Sequence, residues 1–141
     1  MTGSRPTILL VDDDAALLRG LTRAMADEDF VVLPAVSAAE ATALLQRMQV
    51  DVVVCDQRMP GLTGIDFLSQ LRRKYPSIKM IMLSGHVGGL PVAMDAARDI
   101  GVHCILSKPC SADELSRTIR NAIDSPVCIG RPDQGGPLIH Q

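Results

Sequence analysis

The feature that most constrains the fold is an alternation of short apolar runs with longer amphipathic segments along the chain. The apolar runs predict five strands, at residues 7–11, 30–34, 51–55, 78–83 and 102–106. Most of these runs are nearly continuous in Val, Ile and Leu, as in strands that are covered on both faces. Five β-α units in succession predict an α/β fold in which a parallel sheet carries helices on both faces.

The segments between the predicted strands carry helix patterns. Apolar residues recur at helical spacing in three series: Leu17, Leu18, Leu21 and Met25; Ala41, Leu44, Leu45 and Met48; and Leu115, Ile119 and Ile123. Residues 37–40 and 111–114 fit the capping box of a helix start, and residues 63–66 are a weaker relative. The fourth helix follows residues 84–91, where three glycines predict a mobile loop and Pro91 suits a first helical turn.

Length and composition limit the organisation of the chain. With 141 residues there is room for one domain, predicted at 7–124, between an N-terminal tail at 1–6 and a disordered tail or linker stump at 125–141. No apolar stretch approaches the roughly 20 residues that span a bilayer, so we expect a cytoplasmic protein with no membrane partner. The net charge of -2 argues against direct binding of nucleic acid. The four cysteines form no C-x-x-C pair, which indicates neither a zinc site nor a disulfide framework.

Polar side chains stand where the predicted strands end. They are the acids Asp12, Asp13 and Asp14 after strand one, Asp56 after strand three, Ser84 after strand four, and Ser107 and Lys108 after strand five. Singly, each has an ordinary explanation, since Asp forms turns and caps helices, and Asp14 is expected to be such a cap. In an open parallel sheet, however, ligands bind at the carboxyl ends of the strands, where these side chains would converge.

Three converging carboxylates repel one another unless a cation or a proton intervenes. Oxygen ligands with room for water favour Mg²⁺, with Mn²⁺ as a possible substitute. A carboxylate beside such a metal can attack a phosphoryl group and form an aspartyl-phosphate, while a lysine and a hydroxyl hold the other phosphate oxygens. Asp12, Asp13, Asp56, Ser84 and Lys108 are the groups that this reaction needs.

The motifs at residues 8–14, 56–64, 82–85 and 107–109 resemble the signature blocks of response regulator receiver domains, in the family's order and spacing. The resemblance covers about residues 7–124. It implies a flavodoxin-like, doubly wound sheet of five strands in the order 2-1-3-4-5 with five helices, as in chemotaxis-type regulators. It also implies a two-component signalling switch that receives phosphate from a histidine kinase or a histidine phosphotransfer protein. Such a switch catalyses only its own phosphorylation and slow dephosphorylation.

The resemblance implies roles for the acids. Asp56 would be the phosphoryl acceptor, and Asp12 and Asp13 would form the acid pocket. Asp13, Asp56 and the backbone carbonyl of Arg58 would be direct ligands of Mg²⁺, and Asp12 would bind it through water. Arg58 and His86, two residues beyond Asp56 and Ser84, would tune the lifetime of the aspartyl-phosphate.

The resemblance also implies how the signal leaves the site. Ser84 would be the switch hydroxyl and Lys108 the phosphate partner, followed by a cis peptide bond to Pro109. The partner-binding face would be formed by helix four, strand five and helix five, which is also a possible homodimer interface. Two residues depart from the family: Ile105 replaces the usual switch Tyr or Phe, and Cys110 stands where an aromatic often follows Lys-Pro.

Three alternatives fit less well. An enzyme of the haloacid-dehalogenase type, a Mg²⁺ phosphatase or phosphotransferase with an Asp nucleophile, shares the D-x-D pattern of residues 12–14, but Ala15 and Ala16 follow it and no cap domain fits the length. A flavodoxin-like electron carrier needs a phosphate-cradling loop after strand one, where three acids would repel an anion. A degenerate receiver that only binds partners is disfavoured by the intact acids and lysine.

Overall fold

The computed structural model describes residues 5–59, 61–85 and 90–125, with the backbone alone over 90–94. In these ranges five strands and five helices alternate: β1 (Thr7–Val11), α1 (Ala15–Ala24), β2 (Val31–Ala35), α2 (Ala38–Arg47), β3 (Val52–Asp56), α3 (Gly64–Lys74), β4 (Lys79–Ser84), α4 (Leu90–Ile100), β5 (Cys104–Ser107) and α5 (Ala112–Asp124). The alternation predicted from the sequence is confirmed. None of the helices in the described ranges has the length and apolar character needed to cross a membrane.

The strands form one parallel sheet in the order β2-β1-β3-β4-β5, as predicted. Four strands, β2 to β5, end one residue later than their apolar runs indicated. At the site, Asp56 pairs with Leu83, and Ser84 pairs with Ser107. Asp56 and Ser84 are therefore the last residues of their strands rather than the first residues of loops. The sheet fixes their backbones, and their positions depend little on loop conformation.

Helices cover both faces of the sheet, and the strand side chains alternate between two apolar layers. One layer joins β1 and β3 to α1 and α5 through Leu18, Met25, Leu115 and Ile119. The other joins the sheet to α2, α3 and α4, around the fully buried ring of Phe67. Burial of one such large apolar side chain contributes about 1.5–3 kcal/mol, so both layers hold the strand ends in place.

The helix starts follow the predicted caps. Asp14, Ser37, Thr63 and Ser111 each accept a hydrogen bond from the backbone N–H three residues further on. The prediction was wrong for Met48, which was expected on the buried stripe of α2 but is 42% exposed. The helix ends at Arg47, and Met48 has an extended backbone, so it does not continue the buried stripe of the helix.

A basic run, Arg72 to Lys74, closes α3 and lies in its last turn. The Arg72 guanidinium, however, also reaches beyond its own helix. It donates hydrogen bonds to four backbone carbonyls, those of Pro76, Ile78, Ile100 and Gly101. Two of these carbonyls lie at the C-terminal end of α4, so Arg72 fastens that end to α3.

Candidate functional site

Three carboxylates meet at the carboxyl edge of the sheet. Asp12 follows β1 directly, and Asp56 closes the neighbouring strand β3. Both are buried, with 3% and 4% of their surfaces exposed, whereas Asp13 is exposed. One oxygen from each of the three acids can be chosen so that all lie within 4.8 Å of one another. The structure thus brings together the three acids that the sequence predicted to converge.

The backbone around the cluster orients two of these carboxylates. Asp12 Oδ1 accepts a hydrogen bond of 2.9 Å from the N–H of Asp14, and Asp56 Oδ1 accepts one of 3.3 Å from the N–H of Arg58. In each case the donor stands two residues after the acid, so the turn that leaves the strand also fixes the side chain. The second oxygen of each carboxylate faces the lysine of the site.

Lys108 stands between the two buried acids. Its Nζ lies 3.1 Å from Asp12 Oδ2 and 3.4 Å from Asp56 Oδ2. The N–H of Lys108 donates to the carbonyl of Ser84, and the peptide bond between Lys108 and Pro109 is cis. The Lys108 ammonium is therefore shared by two buried carboxylates. Because Asp13 also lies close by, the cluster carries more negative charge than the lysine neutralises.

The electrostatics of the site follow from burial and from this excess of negative charge. Burial raises the pKa of Asp56, and the charge of Asp12 raises it further, against the opposing effects of Lys108 and the Arg58 N–H. Burial alone would lower the pKa of Lys108, but its hydrogen bond to Asp12 and the charges of both acids raise it overall. The ionised Asp56 is thus poorly compensated, and an added cation would stabilise it.

Ser84 closes β4 and is buried, with 7% of its surface exposed. Its carbonyl is bonded to the N–H of Lys108, so the strand ends of β4 and β5 are joined beside the acids. A Cβ atom on Gly85 would lie 3.5 Å from Cβ of Lys108, an ordinary contact. His86 lies outside the described residues, as does most of the glycine-rich loop. Its predicted role remains a prediction.

Gln57 and Gly64 are two residues of this region whose part the sequence analysis missed. Gln57 Oε1 accepts from the N–H of Ile65, and the Gln57 carbonyl accepts from the N–H of Gly64. A Cβ atom on Gly64 would lie 2.5 Å from the carbonyl oxygen of Asp56. Helix α3 thus starts directly against the turn after Asp56. A glycine at the first position of a predicted helix was the only signal of this close approach.

A cleft of about 410 Å³ opens beside the cluster, lined by Asp13, Gln57, Arg58, Met59 and Thr63. Four of these five lining residues are polar, and they include Asp13 with its exposed carboxylate. The cleft borders the cluster on the side of Asp13, whereas Asp12 and Asp56 are buried.

Comparisons with known proteins agree with this geometry. Residues 8–120 match the family described as response regulator receiver domain. The chain belongs to that family. Among curated relatives, the receiver is 39% identical over 125 residues to the hydrogenase transcriptional regulatory protein HoxA of Cupriavidus necator, covering 89% of this chain and 26% of that protein. It is 36% identical to the transcriptional regulatory protein GlrR of Escherichia coli, covering 83% and 26%. The chain thus spans about a quarter of these relatives.

Solved receiver structures have the same fold. A response regulator receiver domain protein from Clostridium thermocellum matches with a TM-score of 0.76 and 33% identity, covering 84% of this chain and 94% of that one. The signal receiver domain of an HD domain-containing protein from Pseudomonas fluorescens matches with a TM-score of 0.79 and 30% identity, covering 85% and 95%. The chain is therefore a signalling domain of the two-component type, and nothing in these matches favours the haloacid-dehalogenase alternative.

The structure describes both residues that were expected to depart from the family pattern. Ile105, predicted to replace the switch aromatic, is half-buried and packs against the layer that contains α2, α3 and α4. Cys110 lines an apolar hollow of about 390 Å³ beside Lys108, between α1 and α5. Burial raises the pKa of the Cys110 thiol to about 11, and the nearby Glu114 adds to the shift. The thiol is therefore protonated at neutral pH.

Proposed function

We propose that this receiver accepts a phosphoryl group on Asp56 from a histidine kinase or a histidine phosphotransfer protein in the cytoplasm. The proposal is carried by the convergence of three carboxylates and the Lys108 ammonium at the carboxyl edge of the sheet. A buried, poorly compensated carboxylate next to a lysine is a suitable nucleophile for a phosphoryl group, whose negative charge the lysine neutralises.

The donor set fits Mg²⁺. It consists of carboxylate oxygens only, with one exposed acid that leaves space for water, and it holds more negative charge than Lys108 offsets. We expect Asp13, Asp56 and the backbone carbonyl of Arg58 to bind the ion directly, Asp12 to bind it through water, and Mn²⁺ to substitute for it. When bound, the ion stabilises the negative charge on the oxygens of the transferring phosphoryl group.

The protein's own residues perform the transfer as follows. A carboxylate oxygen of Asp56 attacks the phosphorus atom, the bond from phosphorus to the donor imidazole nitrogen breaks, and its electron pair remains on that nitrogen. Lys108, already 3.4 Å from Asp56 Oδ2, holds an oxygen of the transferred group. The Ser84 hydroxyl donates to another. Because Asp56 is buried, few water molecules reach the acyl phosphate, and hydrolysis is slow.

The transferred group is the signal. It adds nearly two negative charges and three acceptor oxygens beside Ser84 and Lys108, where Asp56 carried one charge before. We expect the strand ends and the following loop to rearrange and to alter the face of α4, β5 and α5, which is also the expected homodimer interface. The curated relatives are transcriptional regulatory proteins, which supports an output that controls transcription. We expect the receiver itself to contact neither nucleic acid nor membrane.

The test is phosphorylation by acetyl phosphate, followed by intact-mass measurement. We expect the mass to rise by one phosphoryl group in the presence of Mg²⁺ or Mn²⁺ and to stay unchanged in excess chelator. Asp56→Asn keeps the size of the side chain but removes the nucleophile, and it should not be labelled. Asp99→Asn, an exposed acid on α4, is the matched control and should be labelled like the wild type. Labelling of the Asp56 variant, or full labelling without metal, would refute the assignment.

A further inference from the structure

A groove of about 430 Å³ lies at the amino-terminal edge of the sheet, opposite to the acid cluster. It runs between the C-terminal ends of α2 and α3, where β3 and β4 begin. Its apolar lining comes from Leu45, Met48, Val50, Tyr75 and Ile78. We name it the α2–α3 groove. Its volume is within the range of sites that bind small ligands or single inserted side chains.

The groove has an apolar surface that the fold does not cover. Met48 is one of two large hydrophobic side chains that are more than a third exposed in the described part of the chain. Tyr75 lies beside it, half-buried, and packs against the core layer of α2, α3 and α4. Methionine adapts its shape readily to an apolar partner, and an aromatic ring offers a rigid wall for contact.

Three cations lie at or next to the groove, and together they are called its rim. Lys74 lines the groove, and Arg47 and Arg73 are the residues directly before the lining residues Met48 and Lys74. All three cations are exposed, and none of them forms an ion pair within the described ranges. The ends of α2 and α3 together carry roughly one unit of negative charge, which offsets only part of the charge of the three cations. Asp51, the next acid after Arg47 in the sequence, is exposed, accepts a hydrogen bond from the backbone N–H of Thr7 and offsets one further positive charge. The rim therefore keeps an excess of roughly one positive charge.

The charge of the rim decides between possible occupants. A second copy of the chain bound symmetrically would place the same cations against one another, which opposes self-association through this groove. A nucleic acid or an anionic bilayer needs a broad basic surface, whereas the whole chain carries a net charge of -2 and the groove is concave and apolar. An acidic protein segment with an apolar side chain matches both the lining and the rim.

We propose that the α2–α3 groove is a docking site for a protein segment that inserts an apolar side chain and carries acidic residues on either side of it. Lys74 and Arg47 contact the acidic residues, and Met48 and Tyr75 contact the apolar side chain. The site lies at the opposite edge of the sheet from Asp56, so it is occupied whether or not the receiver is phosphorylated. It serves as an attachment point that is independent of the switch.

The test uses a random-peptide display library selected against the intact chain. We expect the selected peptides to combine an aromatic or aliphatic residue with flanking Asp or Glu. A labelled synthetic peptide from the selection should lose about tenfold or more in affinity for Arg47→Glu/Lys74→Glu, and should also bind Met48→Ser more weakly. Arg19→Glu/Arg23→Glu reverses two cations on α1 and is the matched control, with unchanged affinity. Backbone NMR shifts should localise to residues 45–50 and 73–78.

Several outcomes would overturn the proposal. These are a selection that yields no binder, peptides without acidic residues, or an equal loss of affinity in the α1 control. Single-stranded DNA and phosphatidylglycerol vesicles are tested in parallel. If either binds the wild type and not Arg47→Glu/Lys74→Glu, the groove belongs to a polyanion instead. Each variant should accept phosphate from acetyl phosphate like the wild type, which shows that it is folded.

Discussion

Gly64 lies so close to Asp56 that a Cβ atom on it would stand 2.5 Å from the Asp56 carbonyl oxygen and 2.8 Å from Cα of Gln57. Both contacts are with backbone, which cannot move aside without shifting the end of β3. The missing side chain therefore allows α3 to start against the turn that orients the Asp56 carboxylate.

Gly64→Ala should consequently lower the free energy of unfolding, by about 1–3 kcal/mol, as for other overpacked sites. Gly20→Ala is the matched control, because Gly20 lies inside α1 and a Cβ atom on it would meet nothing within 4 Å. That substitution should stabilise the protein by about 0.5–1 kcal/mol, since alanine favours helix more than glycine does. Urea unfolding of the three proteins measures both effects. Equal stability of wild type and Gly64→Ala would contradict the role of the close approach.

Mg²⁺ should stabilise the folded receiver, because the ion relieves repulsion among Asp12, Asp13 and Asp56. A ligand that binds only the folded state adds about 2.7 kcal/mol at a hundredfold excess over its dissociation constant. Asp13→Asn should reduce this gain while it stabilises the metal-free protein, since one of the mutually repelling charges is removed. Thermal melts with and without Mg²⁺ measure both quantities. A wild type whose melting temperature does not respond to Mg²⁺ has no such site.

His103 should make the stability depend on pH. Burial lowers the pKa of His103, and the charge of Lys79 lowers it further. The folded protein therefore binds fewer protons than the unfolded chain below the ordinary pKa of 6.5. Stability should be complete above about pH 7 and should fall as the pH drops from there through the lowered pKa. His103→Gln should flatten this part of the curve in denaturant titrations at several pH values. Parallel curves for the two proteins would exclude the effect.

Arg58 and His86 should affect how long the phosphoryl group remains on Asp56. Arg58 is exposed and lines the cleft beside the acids, so its side chain borders the route by which water reaches the site. Alanine at either position should change the half-life of the phosphorylated form, measured by intact mass after removal of the phosphodonor. Arg73→Ala, on α3 at the other edge of the sheet, is the control. Half-lives identical to the wild type in both site variants would rule the idea out.

Activation should proceed without rotation of an aromatic side chain at Ile105. A β-branched residue is stiff at χ1, and it is too short to fill the space that an inward-turning Tyr or Phe would occupy. The change should instead involve the loop from 84 to 90 and helix α4. NMR with and without beryllofluoride and Mg²⁺ should show large shifts at residues 84–100 and small shifts of the Ile105 methyl groups. Shifts centred on β5, with none in the loop after Ser84, would be the opposite result.

The fold was predictable because parallel strands covered on both faces are nearly continuous apolar runs, and β1 matches its run at both ends. The other boundaries differ because pairing, not hydrophobicity, ends a strand. Asp56 and Ser84 are polar, yet each still pairs with a residue of the neighbouring strand, Leu83 and Ser107 respectively. At the start of β5, Val102 is apolar but its N–H bonds to the carbonyl of Ala97 at the end of α4.

The convergence of the acids followed from the rule that strand ends share one edge of the sheet. The contacts of Gln57, Gly64 and Arg72 did not follow, because each depends on how a helix is placed against a turn or another helix. The local sequence does not determine how closely a helix approaches a turn or another helix. A glycine or an arginine at these positions could have any of several structural roles, and the role is apparent only from the three-dimensional structure.

The hydrogen bonds from Arg72 to four backbone carbonyls restrict the movement of α4 at one end. The guanidinium fixes the C-terminal end of α4, at Ile100 and Gly101, to the end of α3. The 11 residues of α4 form a rod about 16 Å long, and Arg72 holds its C-terminal end. A rod of that length turned by about 10° at its attached end carries its other end through about 3 Å. Arg72 thus holds α4 at its C-terminal end, and the end that follows the loop after Ser84 is the one that such a rotation would displace.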